Sequence, residues 1–376
     1  MDINISYERY HRQLILKDFG EAGQQQLLQA AVLVIGAGGL GCPVLQYLAA
    51  AGIGRIGIVD DDTVSLSNLH RQPLYSTADI GLAKVEQAVK VLSRLNTEIE
   101  IIAYCERLRT QNAFSLLKPY DLVIDCTDNF ATRYLINDAC VLLNKPFIFG
   151  AVSRYEGQVA IFNYKTSATK PAVNYRDLYP HPPKENEILN CEEAGVLGVL
   201  PGIIGTMQAN ETIKLLTGIG RPLIDRLLTY DALNNNMYEV ELTVAEGSGL
   251  LIPADEQVFL QTDYDELCGS DNSQFEIDAA AFEELINGGN IDVIDVREPG
   301  EDPVIEYFSS LRIPLNQLQS NLQLLQSTTL VAICQSGKRS LQAARQLAAA
   351  FGSSKKIYSL RGGIIQWKQV YEKQLS

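Results

Sequence analysis

The chain has 376 residues, of which 46% are hydrophobic and 20% charged, and its formal net charge is -14. This length exceeds what a single hydrophobic core usually serves, so one large and one small domain are expected. The composition is that of a globular protein and excludes a disordered or fibrous chain. The acidity, without a basic patch in the linear sequence, argues against nucleic acid as the primary ligand.

Features of the termini and cysteines favour a cytoplasmic protein. The start, MDINISYERYHRQ, lacks the apolar core and basic flank of a secretion signal. The longest apolar stretch, 194–207, is too short to span a bilayer, so no membrane segment is expected. The seven cysteines are odd in number and never spaced as C-x-x-C, which suits a reducing compartment.

The first part of the chain predicts a Rossmann-like, doubly wound α/β domain over residues 1–245. Between residues 31 and 60, a buried strand (AVLVIG), a glycine turn, an apolar helix and a second strand (RIGIVD) form a βαβ pattern. A helix around 82–95 and strands around 99–104 and 121–126 continue the alternation. Strands at 146–150 and 157–162 lie close in sequence and predict an antiparallel extension. A loop over 172–190 and a helix over 200–218 follow.

The remainder of the chain predicts a linker and a second, smaller domain. Residues 246–273 are rich in Gly, Ser, Asp and Asn, which is typical of a linker. Residues 274–376 then alternate helices and strands over about a hundred residues, enough for a complete small α/β domain.

A glycine turn, GAGGLG, follows the first strand and opens the next helix, so its backbone can approach phosphates at a helix N-terminus. Its glycines are Gly36, Gly38, Gly39 and Gly41. With Asp60 closing the second strand, the turn alone fits a dehydrogenase-type dinucleotide site equally well.

The residues after Asp60 do not fit a nicotinamide site. The segment IVDDDTVSLSNLHRQ supplies acidic residues, then Asn68 and Arg71, and Lys84 follows. Asp128 comes at the end of another apolar strand, where doubly wound sheets bind ligands. Attack of a carboxylate on an α-phosphate needs cations for the phosphates and acidic ligands for magnesium. Taken one at a time, each of these charged residues could equally be a solvated loop group.

These motifs, in this order along the chain, resemble those of a known enzyme family. RYHRQ (9–13), GAGGLG (36–41), VDDDTVSLSNLHRQ (59–72), GLAKVE (81–86), CTDN (126–129) and CEEAGVLG (191–198) resemble the ubiquitin-activating-enzyme-like MoeB/ThiF adenylyltransferases. The resemblance spans nearly all of residues 5–245. It implies ATP-dependent adenylation of the C-terminal Gly-Gly carboxylate of a ubiquitin-like sulfur-carrier protein.

The resemblance also implies roles for single residues. Gly39 and Asp60 would hold the phosphate and ribose, and Asp62 and Asn68 would line the pocket. Arg71 and Lys84 would neutralise phosphates, and Asp128 would serve Mg²⁺ and the reacting phosphate. Arg12 matches the arginine that family dimers insert into the neighbouring subunit's site, so a homodimer is implied.

Cys191 precedes an apolar helical segment, and a thiolate near a helix N-terminus is a better nucleophile. By resemblance it matches the cysteine that attacks the acyl-adenylate; the alternative is a cysteine that fills a hydrophobic gap. Relatives often carry two C-x-x-C pairs for structural zinc. Here the matching positions are Asn174, Asp177, Asp265 and Cys268, a poor zinc shell, so no zinc is predicted.

The second domain centres on AICQSGKRS. Cys334 ends a buried strand, and the N–H groups of the following loop, with Lys338 and Arg339, could stabilise a thiolate or persulfide. With IDVRE, RIPL and LRGGIIQW it resembles a rhodanese domain. The family's Gly-His-Ile segment is replaced by EYFSSL, and Gln335 stands where arginine is common. A loop of six residues favours sulfur chemistry over Cys-dependent phosphatases; an inactive scaffold is the alternative.

The predicted function is therefore an adenylyltransferase with sulfurtransferase activity, in which Cys334 carries a persulfide received from a donor such as a cysteine desulfurase. Carriers of the molybdopterin, thiamine and tRNA-thiolation pathways all fit. Two other classes stay open, a nicotinamide-dependent oxidoreductase and a non-catalytic assembly protein that binds carriers.

Overall fold

The chain forms two compact units, residues Met1–Cys268 and Gly269–Ser376. The structure, a computed structural model, describes residues 5–167, 170–182, 195–268, 275–303 and 307–371. The two units are described separately below.

A single mixed sheet organises the first unit, with strand order β3-β2-β1-β4-β5-β6-β7-β8 in its described residues. β3, β2, β1, β4 and β5 run parallel to their neighbours, whereas β6, β7 and β8 continue the sheet antiparallel. The strands are β1 (Ala31–Ile35), β2 (Arg55–Val59), β3 (Glu100–Tyr104), β4 (Leu122–Asp125), β5 (Phe147–Ser153), β6 (Glu156–Phe162), β7 (Arg226–Asp231) and β8 (Asn236–Glu241).

Helices of the first unit cover both faces of this sheet, because the parallel strands are apolar on both sides and must be shielded from water twice. Two clusters of buried side chains form the core. The helices are α1 (Tyr7–Leu14), α2 (Gly20–Gln29), α3 (Gly41–Ala51), α4 (Lys84–Leu95), α5 (Thr110–Leu117), α6 (Phe130–Leu142), α7 (Tyr175–Leu178), α8 (Leu200–Thr217), α9 (Glu256–Gln261) and α10 (Tyr264–Cys268).

The predicted fold class is confirmed. The βαβ pattern over residues 31–60 is β1-α3-β2, and the predicted antiparallel extension is the β5-β6 pair. α8 ends before Gly218, whose left-handed backbone closes the helix as expected of a C-terminal glycine. The predicted loop over 172–190 contains the short helix α7; its residues 183–190 lie outside the described ranges.

Residues 246–268 differ from the linker that composition predicts for 246–273. They fold against the first unit as a 3₁₀ turn, Ser248–Leu251, followed by α9 and α10. Phe259 and Tyr264 are buried in the core, where Phe259 meets Phe114 edge to face with ring centroids 4.9 Å apart. Two aromatic anchors in an otherwise polar stretch are enough to bind the segment to the core, because each buries a large apolar area.

The second unit is a small parallel sheet with helices against it, strand order β11-β10-β12-β13-β9 in its described residues. Leu330, Val331, Ala332 and Ile333 of the central strand are fully buried. The elements are β9 (Glu276–Ile277), α11 (Ala279–Gly288), β10 (Ile291–Asp295), β11 (Leu311–Arg312), β12 (Thr329–Ile333), α12 (Lys338–Phe351), β13 (Lys356–Leu360) and α13 (Gly363–Tyr371).

A helix that crosses a lipid bilayer needs about 20 consecutive, mainly apolar residues. In the described ranges, no helix combines the length and the apolar character needed to traverse a membrane.

Candidate functional sites

The glycine turn lies between β1 and α3, at the carboxyl ends of the parallel strands. The Gly36 N–H donates to the Val59 carbonyl at 2.9 Å, and the Cys126 N–H donates to the Ile35 carbonyl at 2.9 Å, so the turn begins where three strands end together. α3 then starts at Gly41. Its N-terminus therefore lies at the carboxyl ends of the parallel strands, where an anion would be stabilised.

The glycines of the turn differ in whether the surrounding atoms would tolerate a Cβ. Gly36 has φ +97°, and a Cβ there would lie 2.6 Å from the Cys126 carbonyl oxygen. A Cβ on Gly41 would lie 2.1 Å from the Gly36 oxygen, whereas one on Gly38 would approach no atom closer than 3.5 Å. Gly36 and Gly41 are therefore required by the turn itself, while a Cβ at Gly38 would make only an ordinary van der Waals contact, with the Gln72 amide nitrogen.

Asp60 holds the turn in shape. Its carboxylate accepts the Ala37 N–H at 2.7 Å and the Asp62 N–H at 2.8 Å, and so joins the turn to the segment after β2. Burial raises the pKa of Asp60 above its ordinary value. Tyr75, a residue that sequence reasoning missed, donates its hydroxyl to the Ala37 carbonyl at 2.8 Å.

Lys84 and Asp62 form an ion pair beside this turn. The Lys84 ammonium lies 2.9 Å from the Asp62 carboxylate; the lysine side chain is 5% exposed and the aspartate 72% exposed. The Lys84 N–H also donates to the Asp62 carbonyl, which sets the first turn of α4 against the segment after β2. A buried cation is thus held in place by an exposed carboxylate that an incoming phosphate can replace as its partner.

The structure places Asn68, Arg71 and Asp128 around the same end of the sheet. Asn68 closes a 3₁₀ turn, and its carbonyl accepts the Arg71 N–H at 3.0 Å. The Arg71 guanidinium donates to the Ser67 carbonyl at 3.2 Å. Asp128 is exposed just beyond β4, on the strand end next to the glycine turn.

Arg12 is not brought into this cluster. It is exposed on α1, a helix that packs on α2, and takes no part in the hydrogen bonds of the site described above. Its predicted role in a neighbouring subunit's site stays a prediction.

A thiol loop forms the corresponding feature of the second unit. Cys334 follows β12, is fully buried, and accepts the Gly337 N–H at 3.2 Å and the Ser340 N–H at 3.3 Å at its Sγ. The Ser340 hydroxyl lies 3.4 Å from the sulfur and accepts the Ser359 hydroxyl at 2.9 Å. Gly337 has φ +92° and precedes α12, so the sulfur lies at the N-terminus of that helix. This cradle of N–H groups can stabilise a thiolate or persulfide anion.

Other described cysteines lack such a cradle. Burial raises the pKa of Cys42 to about 12 and raises the pKa of Cys126 and Cys140 as well. These thiols stay protonated and fill the core of the first unit. Cys191 lies outside the described residues, so its predicted role as nucleophile stays a prediction.

Three of the four positions matched to zinc ligands, Asn174, Asp177 and Asp265, are engaged in hydrogen bonds or an ion pair, and the side chain of the fourth, Cys268, lies outside what the structure describes. Asn174 and Asp177 satisfy each other: the Asp177 carboxylate accepts the Asn174 N–H and amide, both at 2.7 Å. Its other oxygen accepts the Ala245 N–H at 2.8 Å and the Ser248 hydroxyl at 2.5 Å. Asp265 instead pairs with Arg107 at 3.2 Å. Across the described residues, no group of three or more His, Cys, Asp or Glu side chains is arranged to hold a metal ion.

Two residues of the second unit were also missed at the sequence level. Ser340 lies inside the AICQSGKRS motif. The motif points to this segment, but the sequence does not show that the Ser340 N–H contacts the sulfur. Glu301 follows the IDVRE motif by three residues and pairs with Arg339, at 2.6 and 2.7 Å.

Comparisons with known proteins agree with this division into two units. The ThiF family model matches residues 10–248, and the rhodanese-like domain model matches residues 278–370. A protein of Thermus thermophilus described as a sulfur carrier protein adenylyltransferase is 49% identical over 263 residues, which cover 70% of this chain and 96% of that protein.

A second relative spans both units. The probable adenylyltransferase/sulfurtransferase MoeZ of Mycobacterium tuberculosis is 40% identical over 370 residues, covering 96% of this chain and 92% of its own. Among solved structures, E. coli MccB with ATP shares the fold of the first unit, with a TM-score of 0.55, 21% identity, and coverage of 64% of this chain and 73% of its own. The chain thus belongs to the ThiF family, as an adenylyltransferase-type member with a C-terminal rhodanese-like domain.

Proposed function

We propose that this protein uses ATP to adenylate the C-terminal Gly-Gly carboxylate of a ubiquitin-like sulfur-carrier protein and then transfers sulfur to it. One observation carries the proposal: a single chain holds both a glycine turn flanked by a buried Lys84 and a Cys334 sulfur cradled by N–H groups. Activation of a carboxylate and storage of a nucleophilic sulfur are the two requirements for making a thiocarboxylate.

In the first step, a carboxylate oxygen of the carrier attacks the α-phosphorus of ATP. The bond from the α-phosphorus to the bridging oxygen breaks, and pyrophosphate leaves with its electron pair. Lys84 and Arg71 neutralise the charge that develops on the phosphates, and the N-terminus of α3 adds a fixed positive dipole. The Lys84 ammonium can exchange the Asp62 carboxylate for the nucleotide by a rotation at its end, because the aliphatic part of the side chain is already fixed by burial.

Magnesium fits this site through Asp128. The Asp128 carboxylate is exposed at a strand end next to the glycine turn, and a single carboxylate with nucleotide phosphates is a usual ligand set for this ion. When bound, Mg²⁺ would neutralise phosphate charge.

In the second half of the reaction, the Cys334 thiolate takes a sulfane sulfur from a donor such as the persulfide of a cysteine desulfurase. The terminal sulfur of the resulting persulfide attacks the acyl carbon, and AMP leaves, which forms an acyl disulfide. A thiol, from Cys191 or a small molecule, then cleaves the disulfide: the carrier leaves as a thiocarboxylate, and Cys334 is left in a disulfide with that thiol.

Three further features belong to the proposal. Arg12 is exposed on α1, where it is available to the site of a second copy in a homodimer. The cytoplasm supplies both ATP and a reducing environment for the thiols. Carriers of molybdopterin and thiamine synthesis share the Gly-Gly end, and the proposal extends to either.

Exchange of labelled pyrophosphate into ATP by the purified chain, with Mg²⁺ and a Gly-Gly carrier, tests the adenylation step. We expect exchange with the intact carrier and none with a carrier that lacks its last glycine. Arg71→Ala and Asp128→Ala should reduce exchange strongly. Binding of NADH in place of ATP would support the oxidoreductase alternative, and unchanged carrier thiolation in both variants would support a non-catalytic assembly role.

A further inference from the structure

The two described guanidinium groups beside the thiol loop are both neutralised by carboxylates. Arg339, the last residue of the loop, makes a bidentate pair with Glu301, with N–O distances of 2.6 and 2.7 Å. The Glu301 carboxylate also accepts the Glu298 N–H at 2.8 Å, which fixes its orientation. Bidentate pairs of this kind are strong and directional.

Arg297 also lies beside the loop, within 3.5 Å of the Glu301 carbonyl, and its guanidinium is held by a carboxylate as well. Its guanidinium binds both oxygens of the buried Asp295, the closest contact being 2.7 Å. Its remaining nitrogen donates to the Pro303 carbonyl at 3.1 Å and to the Gln335 side chain at 3.5 Å. Gln335, the residue after the cysteine, thus carries a neutral amide whose oxygen accepts a hydrogen bond from Arg297.

This arrangement has a consequence for the sulfur donor. A sulfur oxyanion such as thiosulfate carries two negative charges and must be met by uncompensated positive charge near the sulfur. The persulfide of cysteine carries one net negative charge, and the N–H groups of Gly337 and Ser340 already point at the sulfur that would receive it. Pairing of Arg339 with Glu301 therefore discriminates against the dianion, because the guanidinium that could meet it is already neutralised and the carboxylate beside it repels further negative charge.

We propose that Glu301 is a specificity-determining residue of the thiol loop, which, by holding Arg339 in an ion pair, selects persulfide donors over sulfur oxyanions. The inference rests on the proposed role of Cys334 as the sulfur acceptor. Glu301 acts through Arg339 and is a positioning residue.

Both donors load Cys334 by the same displacement. With thiosulfate, the thiolate attacks the sulfane sulfur, the new S–S bond forms, and sulfite leaves with the electron pair. With cysteine persulfide, the thiolate attacks the terminal sulfur, and cysteine thiolate leaves. In an assay, cyanide then removes the outer sulfur as thiocyanate and regenerates the Cys334 thiolate. The leaving groups differ in charge: sulfite leaves as a dianion, whereas cysteine thiolate carries one net negative charge.

The test is the rate of thiocyanate formation by the full-length protein with each donor. In Glu301→Gln we expect the KM for thiosulfate to fall on the order of tenfold, because one repelling charge near the loop is removed, while kcat with cysteine persulfide stays unchanged. A gain with one donor cannot result from damage to the fold. Glu301→Asp, which keeps the charge, should behave as the parent.

The double variant Glu301→Gln/Arg339→Gln should lose the gain, because the freed guanidinium is what meets the dianion. Glu301→Ser serves in place of the glutamine variant if that variant does not fold. An unchanged ratio of the two donors in Glu301→Gln, with turnover intact, would overturn this inference alone. Absence of thiocyanate from both donors in the parent would instead contradict the proposed sulfur-transfer function.

Discussion

At the scale of single residues, the glycines of the turn differ in whether a side chain would clash with the backbone around them. Gly41 and Gly38 both lie in the turn, yet a Cβ would clash with the Gly36 oxygen at 2.1 Å only at Gly41, while the nearest atom at Gly38 is 3.5 Å away. The backbone of the turn thus tolerates an added methyl at one glycine and not at the other.

We predict that Gly41→Ala destabilises the first unit by about 1–3 kcal/mol, the usual cost of forcing an atom into a packed site, and abolishes ATP binding. Gly38→Ala should keep the parent's unfolding free energy but weaken ATP binding, because the methyl would occupy the space left for the phosphates. Urea unfolding followed by far-ultraviolet circular dichroism, and ATP titration, measure the two effects. Equal unfolding midpoints for both variants would contradict this account of the turn.

Lys84 is the residue of the candidate nucleotide site whose position is most constrained. Its side chain is 5% exposed and its ammonium meets the Asp62 carboxylate at 2.9 Å. We predict that Lys84→Met lowers kcat/KM for ATP–pyrophosphate exchange by about 10²–10³-fold, the range for loss of one preorganised charge at a reacting group. Methionine has about the length and apolar character of the buried aliphatic part of Lys84, so the variant should keep the fold.

Lys90→Met is the matched control for this variant. Lys90 lies on the same helix, α4, and is exposed, with its ammonium 3.2 Å from the Gln87 amide oxygen. Its loss should leave exchange within about twofold of the parent, because a surface substitution of this kind changes free energies by about 0.5 kcal/mol or less. If both variants reduced exchange equally, the effect would come from the charge of the whole surface.

At the scale of elements, hydrophobic periodicity predicted the βαβ unit, the antiparallel extension and α8 because each buries a continuous apolar face. The segment 246–268 was not predicted, since the residues that bind it to the first unit, the buried Phe259 and Tyr264 and the hydrogen-bonded Ser248, are scattered among polar residues. Candidate residues such as Asp60 and Asp128 could be placed at strand ends from sequence. Their partners could not, because contacts such as Glu301 with Arg339 join segments far apart in the chain.

The Glu301–Arg339 pair joins two elements of the second unit, the segment after β10 and the first turn of α12. The Arg339 guanidinium lowers the pKa of Glu301 to about 2, below its value of about 4.3 in an unfolded chain. Since the folded state binds the proton more weakly, the pair stabilises it above about pH 4.5, and this stability is lost as the pH falls toward 2.

We therefore predict that the difference in urea midpoint between the parent and Glu301→Gln is present at pH 7 and shrinks at pH 3. The single tryptophan, Trp367, is buried in the second unit, so its fluorescence reports unfolding of that unit. Glu276→Gln, which disturbs the longer ion pair with the exposed Arg361 at 3.5 Å, should show a smaller difference at both pH values. A difference for Glu301→Gln that is the same at pH 7 and pH 3 would contradict the assignment.

Hydrogen bonds join the segment around α7 to the 3₁₀ turn at Ser248–Leu251. Two of the residues involved, Asn174 and Asp177, stand at positions that the family resemblance matches to zinc ligands. The Asp177 carboxylate accepts four hydrogen bonds, from Asn174, Ala245 and Ser248. We predict that treatment with a metal chelator leaves the melting temperature of the first unit unchanged. Asp177→Ala should lower it, because buried donors lose their acceptor at a cost of about 1–3 kcal/mol. A melting temperature that falls on chelation and recovers with zinc would overturn this view.

At the scale of the whole molecule, the proposed function assigns the two half-reactions to separate residues in separate units. Lys84 and the glycine turn lie in the first unit, whereas Cys334 and its cradle lie in the second. Under this proposal, fusion of the two in one chain would raise the concentration of the persulfide near the activated carboxylate, which a linker can do without any specific contact.

We accordingly predict reciprocal defects. Cys334→Ser should keep ATP–pyrophosphate exchange at the parent's rate but form no persulfide, because serine offers no sulfur to load. Lys84→Met should still form thiocyanate from cysteine persulfide and cyanide but lose exchange. Neither variant alone should make carrier thiocarboxylate, whereas an equimolar mixture should recover some product if the adenylate formed on one chain can meet the persulfide of another. Mass spectrometry of the carrier, which gains 16 Da on replacement of oxygen by sulfur, measures the product; thiocarboxylate formed by Cys334→Ser alone would show that the sulfur reaches the carrier by another route.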